Sequence, residues 1–148
     1  MSKVNNIQLM LDNQDSFNQN ISSWNVSNCN SIFRMFVGCA IFNQPIGAWN
    51  TSGFTSLDTA LTSCPAFDQN LAAWDVTSVT NATSFLSGST LSTANYDALL
   101  IGWEAQAVQN NVVFHGGNST YTLGGAAEAA RAALIADHSW TITDGGGI

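Results

Sequence analysis

One spacing constrains this chain more than any other property. Phe17, Phe42 and Phe67 are 25 residues apart, and Trp24, Trp49 and Trp74 keep the same interval. So do Ile21, Ile46 and Leu71, and so do Gln19, Gln44 and Gln69. A fixed period in the twenties marks segments that are each too thin to bury a core alone and must cover one another. The pattern starts at once: Asn5 to Gln19 aligns on Asn30 to Gln44, setting Ile7 on Ile32, Met10 on Met35 and Leu11 on Phe36. It stops near Thr90.

Within each period, Ile21-x-x-Trp24-x-Val26-x-x-Cys29 recurs as Ile46-x-x-Trp49-x-Thr51-x-x-Phe54 and Leu71-x-x-Trp74-x-Val76-x-x-Val79. This is the leucine-rich-repeat spacing L-x-x-L-x-L-x-x-N/C with Trp as the second apolar residue. Alternation at Trp24-x-Val26 predicts a short strand. Ile32, Phe33 and Phe36, recurring as Leu57, Ala60 and Leu61, predict a helical or 3₁₀ turn on the opposite side. Past Thr90 the pattern changes. Leu91 to Trp103 reads as an amphipathic helix, Asn111 to His115 as a strand, Ala126 to Ala136 as a helix and Trp140 to Thr143 as a strand. The expected fold class is therefore an α/β repeat, a short leucine-rich-repeat solenoid of about 25-residue coils with parallel strands. Its coils would span residues 1–90, the first one partial, and a helix-strand-helix-strand cap over residues 91–148 would complete one continuous domain. The Trp and Phe columns are expected in the core, and the Asn18/Asn43/Asp68 and Gln columns are expected to hydrogen-bond between coils.

Composition removes several function classes. The formal charge is −7, with only Lys3, Arg34 and Arg131 basic. Nucleic acid as a partner is excluded for want of clustered cations, and an anionic membrane surface is disfavoured on the same ground. No stretch is long and apolar enough for membrane insertion, and the opening MSKVNNIQLMLD has no signal-peptide pattern. Cys39 and Cys64 occupy one column, either as small apolar fillers or as a bridge between neighbouring coils. His115 and His138 lack acidic neighbours at ligand spacing, so no metal and no cofactor are expected. Ser119 lies near His115 without a nucleophile-elbow context, and Asp58, Asp68, Asp75 and Asp97 form no carboxylate pair. An enzyme is not expected.

The units FNQPIGAWNTSGFTSL and FDQNLAAWDVTSVTNA resemble the BspA-like leucine-rich repeats of bacterial surface proteins, with their FNQ-x-I-x-x-W-(D/N)-(T/V)-S signature. YDALLIGW and WTITDGG resemble the segment that follows such repeats. Cys29 stands where the family usually has an aliphatic residue. The resemblance implies a non-enzymatic protein-interaction or adhesion module, at the cell surface or extracellular when carried by a longer exported protein. The alternative is a structural subunit, a decoration or fibre component of an assembled particle such as a phage virion.

Two surfaces are candidates. Asn25, Asn50 and Asp75 face outward beside the Trp column, as a polar docking strip or as a plain solvated face. Val4, Ile7 and Leu11 lie on an uncovered first coil and would form an N-terminal assembly surface. The expected partner is a protein, either a second copy in a homo-oligomer or another particle or surface protein, with a glycan as a further candidate.

Overall fold

The computed structural model describes residues 5–148. Its regular elements are α1 (Thr93–Glu104), β1 (Val113–His115), α2 (Ala126–His138) and β2 (Thr141–Thr143), in that order. β1 and β2 form a two-stranded parallel sheet, with Val113 opposite Thr141, Phe114 opposite Ile142 and His115 opposite Thr143. The leucine-rich-repeat solenoid with parallel strands does not form. Among the described residues no strand precedes Val113 and no helix precedes Thr93, and the periodic part is built from turns.

The reasons are local. Where a strand was expected, Asn25 Oδ1 accepts from the Ser27 amide at 3.1 Å and from its hydroxyl at 2.7 Å. Asn50 does the same with Ser52 (3.2 and 2.7 Å), and Asp75 with Thr77 (3.0 and 2.6 Å). These Asx turns take the amide that an extended ladder would need. Where a helical turn was expected, Arg34, Thr59 and Ser84 have φ of 54°, 52° and 55°, and Gly38, Ser63 and Gly88 have φ of 70°, 56° and 71°. A left-handed residue at every fourth position cannot continue a right-handed helix. The chain instead makes successive tight turns, for example Met35 N to Ile32 O at 3.0 Å and Cys39 N to Phe36 O at 3.0 Å.

These turns free alternate amides to reach the next periodic segment. Leu9, Leu11 and Asn13 donate to the carbonyls of Phe33, Met35 and Val37 at 3.1, 3.1 and 2.7 Å. Arg34, Phe36 and Gly38 donate to Asp58, Ala60 and Thr62, and Thr59, Leu61 and Ser63 to Thr83, Phe85 and Ser87. Single-residue parallel bridges join Ser31 to Ser56, Ser56 to Asn81 and Ala82 to Phe114. The last bridge ties the periodic part to β1, together with Leu86 N donating to His115 O at 2.9 Å.

Side-chain columns run with this backbone register. The Phe17, Phe42 and Phe67 rings stack with both centroid separations at 5.9 Å. Trp49 and Trp74 donate Nε1–H to the carbonyls of Ile21 and Ile46 at 3.1 and 2.9 Å. Asn18 Oδ1 accepts from Asn43 N and Gln44 Nε2, and Asn43 Oδ1 accepts from Asp68 N and Gln69 Nε2. Helix α1 takes over these roles. Its Trp103 donates to Leu71 O at 3.0 Å, while Asn95 Nδ2 and Ser92 N donate to Asp68 Oδ1 at 2.8 Å. Ser92 also N-caps α1. Tyr96, Leu99, Leu100 and Trp103 are its buried residues, and α2 packs on α1, burying Ala127, Ala130 and Leu134. Among the described residues every buried side-chain nitrogen and oxygen has a hydrogen-bond partner.

Thr59 is β-branched, and its φ of 52° is costly for such a residue. Thr59→Gly is expected to stabilise the protein by about 1 kcal/mol in urea unfolding. An unchanged or lower midpoint would mean that the Thr59 hydroxyl bond to Asp58 O (2.8 Å) outweighs the backbone relief.

Candidate functional site

The two surfaces marked by the sequence fare differently. Asn25 and Asn50 are exposed and Asp75 is half-buried. Each Oδ1 is engaged by its own turn, so this column closes turns before it can offer anything outward. The strip is also occupied beside Asp75. Gln106 donates to Trp74 O at 2.9 Å and accepts from Val76 N at 2.9 Å, and Gln109 donates to Thr77 O at 2.7 Å. The same turn chemistry accounts for four Asn-x-Ser/Thr triplets, since Asn20, Asn25, Asn50 and Asn81 each accept the amide two residues on.

At the N-terminal end, Val4 lies outside the described residues. Ile7 and Leu11 are only 1% and 9% exposed and belong to the core, so they do not form a surface. Their inward course follows from the alternation of the turns: Leu11 N reaches Met35 O, and the Ile7 column continues through the buried Ile32, Leu57 and Ala82. Leu9, Met10 and Trp24 reach solvent here, at 51%, 46% and 37% exposure, and of these Met10 and Trp24 stand in columns that are core in the later periods. Their column partners are buried: Met35, Ala60 and Phe85 fully, Trp49 at 4% and Trp74 at 0%. Phe17 is half-covered where Phe42 and Phe67 are fully covered. Met10 and Trp24 were readable in the sequence as members of the Met35 and Trp49 columns. Arg34 pairs with Asp12 at 3.0 Å at this end, with its side chain well exposed, so the pair adds little stability.

Cys39 and Cys64 are unbridged thiols. Their Sγ atoms donate to Leu11 O at 3.1 Å and Phe36 O at 2.8 Å, and Ser89 Oγ continues the column onto Leu61 O at 2.6 Å. Burial pushes the Cys64 thiol up to about 12, far from a reactive thiolate. Ser119 is fully buried and its Oγ accepts from Leu91 N at 2.9 Å, while His115 Nδ1 accepts from Gly117 N at 3.0 Å. Serine and imidazole are thus committed to backbone groups. No group of three His, Cys, Asp or Glu among the described residues could hold a metal ion. No helix there is long and apolar enough to cross a membrane.

The strongest electrostatic feature lies at the other end. Asp144 accepts from Arg131 Nε at 2.8 Å and from Tyr96 OH at 2.8 Å. Its burial alone would raise its pKa, but the Arg131 and Tyr96 hydrogen bonds outweigh this and hold the carboxyl below its usual value. Asp68 is likewise lowered: burial raises it, and the Asn95 and Ser92 bonds more than compensate. Burial raises Asp58. A depressed carboxylate contributes stability above its unfolded pKa of about 3.9, and that contribution is lost as pH falls through the folded value. Thermal stability is therefore expected to fall as the pH drops below about 4. Asp58 works in the opposite sense. Asp144→Asn should flatten the acid limb, and an identical acid limb in that variant would contradict the assignment.

With this geometry in hand, the family can be given. The model for the family described as "Mycoplasma protein of unknown function, DUF285" matches residues 1–99, and the chain belongs to that family. No curated protein and no solved structure matches it.

Proposed function

We propose that this chain is a non-enzymatic protein-interaction module of the BspA-like kind, working through its N-terminal end. One observation carries the reading: Met10 and Trp24 are open to solvent at positions whose counterparts one and two periods on are buried. Apolar groups exposed in a row that is elsewhere core mark a surface made to be covered. The turn columns around Asn25 and Asn50 support the same reading, because their polar groups are spent on shape.

A photo-crosslinking amino acid placed at Met10, with a control at the exposed Leu123, tests this in the source cells. A discrete protein adduct from position 10 and none from position 123 is expected. No adduct at position 10, or equal adducts from both, would reject it.

A further inference from the structure

The turn that follows β1 joins three parts of the chain. Gly116 N donates to Thr143 O at 2.7 Å, Asn118 N donates to Ser89 O at 3.0 Å, and Leu86 N donates to the His115 carbonyl at 2.9 Å. Ser119 then accepts from Leu91 N on its Oγ and from Gly145 N on its carbonyl, both at 2.9 Å. The end of the periodic part, the entry to α1 and the segment after β2 thus meet here. Gly117 sits in the middle of this turn. It is buried with a φ of 69°, and a Cβ there would meet Ser89 O and Leu86 O. Among the described residues its N–H has one acceptor, His115 Nδ1 at 3.0 Å.

That bond fixes the state of the ring. A neutral imidazole has one nitrogen that donates and one that accepts. Nδ1 accepts, so it holds the lone pair and Nε2 holds the hydrogen. No described residue bonds Nε2, and no buried side-chain nitrogen lacks a partner, so Nε2 meets solvent. A second proton can therefore enter the ring only at Nδ1. It turns the acceptor of Gly117 into a donor and sets N–H against N–H. No carboxylate among the described residues pairs with the ring to offset this. The titratable groups packed round the turn are Tyr96 on α1, Arg131 on α2 and Asp144 after β2, and they are bonded to one another, with Arg131 over the Tyr121 ring. The periodic stretch against the turn, Ala82 to Leu91, carries no titratable residue.

We propose that His115 is a proton-operated catch: its neutral ring holds Gly117 and closes the seam between the periodic part and the β1–β2 sheet, and its protonation releases that turn. The catch is separate from the N-terminal interaction reading and stands or falls without it.

NMR of the full chain tests this. The titrations of His115 and His138 are read from their own ring signals. Protection of the Gly117 amide, corrected for the intrinsic pH dependence of exchange, is read over the same series. It should fall about tenfold or more in step with the His115 ring. The Leu61 amide, bonded to Phe85 O within the periodic part, should keep its protection. In His115→Asn an Oδ1 that does not titrate stands in place of Nδ1, and Gly117 should stay protected throughout. Unchanged Gly117 protection while His115 titrates would overturn the proposal. So would a loss that follows His138 or Asp144, a loss shared equally by Leu61, the same loss in His115→Asn, or a His115 ring that takes no proton while the fold is intact. If the variant does not fold, the wild-type series with Leu61 as its internal reference decides alone.

Discussion

Trp74→Ala is expected to destabilise the protein by about 3–5 kcal/mol, measured by urea unfolding. Trp74 is fully buried, its ring meets Phe54 edge-on at 6.2 Å and Phe85 at 6.1 Å, and its Nε1–H serves Ile46 O. Truncation therefore removes a large apolar volume and orphans a buried carbonyl in one step. Trp24→Ala removes the same side chain from a position that is 37% exposed and should cost about 1 kcal/mol or less. The contrast isolates burial from residue type. Equal midpoint shifts for the two variants would contradict the placement of the Trp column.

The second large effect is expected at Asp144. Its side chain is 2% exposed and receives Arg131 Nε, Arg131 Nη2, Tyr96 OH and Gly146 N. Asp144→Ala leaves the Arg131 cation, held 5.2 Å over the Tyr121 ring, without its counter-charge and the Tyr96 hydroxyl without its acceptor. The loss should be about 3–5 kcal/mol, as for other buried pairs broken on one side. Replacing both partners, Arg131→Met with Asp144→Leu, should recover part of it, because no uncompensated charge remains. A double variant as unstable as Asp144→Ala would mean that the site depends on the Tyr96 and Gly146 bonds and not on the ion pair.

The sequence made the columns legible but not the backbone that carries them. Phe17, Phe42 and Phe67 stack, Trp49 and Trp74 are buried, and the Asn18 and Asn43 amides bond to the following segment. All of this follows from a strict interval, because side chains at equivalent positions meet when segments lie in register. α1, β1, α2 and β2 form where the helical and strand patterns after Thr90 place them. The strands and helical turns expected inside the period failed for reasons that propensity does not carry. Trp24-x-Val26 alternates like a strand, yet Asn25 captures the Ser27 amide and hydroxyl. Ile32, Phe33 and Phe36 are spaced like a helical face, yet Arg34 between them is left-handed, and neither Arg34 nor Thr59 announces that in its chemistry. Gly38 and Gly88 do, and they mark the turn ends at which glycine relieves the strain. The Ile7 and Leu11 surface was misplaced for a related reason: periodicity identifies the buried column but not which members of the first period lose their cover.

Amide hydrogen exchange tests the central claim most directly, namely that turn amides bond between segments in a fixed register. Arg34, Phe36 and Gly38, with Thr59, Leu61 and Ser63, should be protected together and exchange only with global opening, while Leu9, Leu11 and Asn13 at the open end exchange sooner. Exchange of Phe36 and Leu61 at the rate of exposed turn amides would contradict the account.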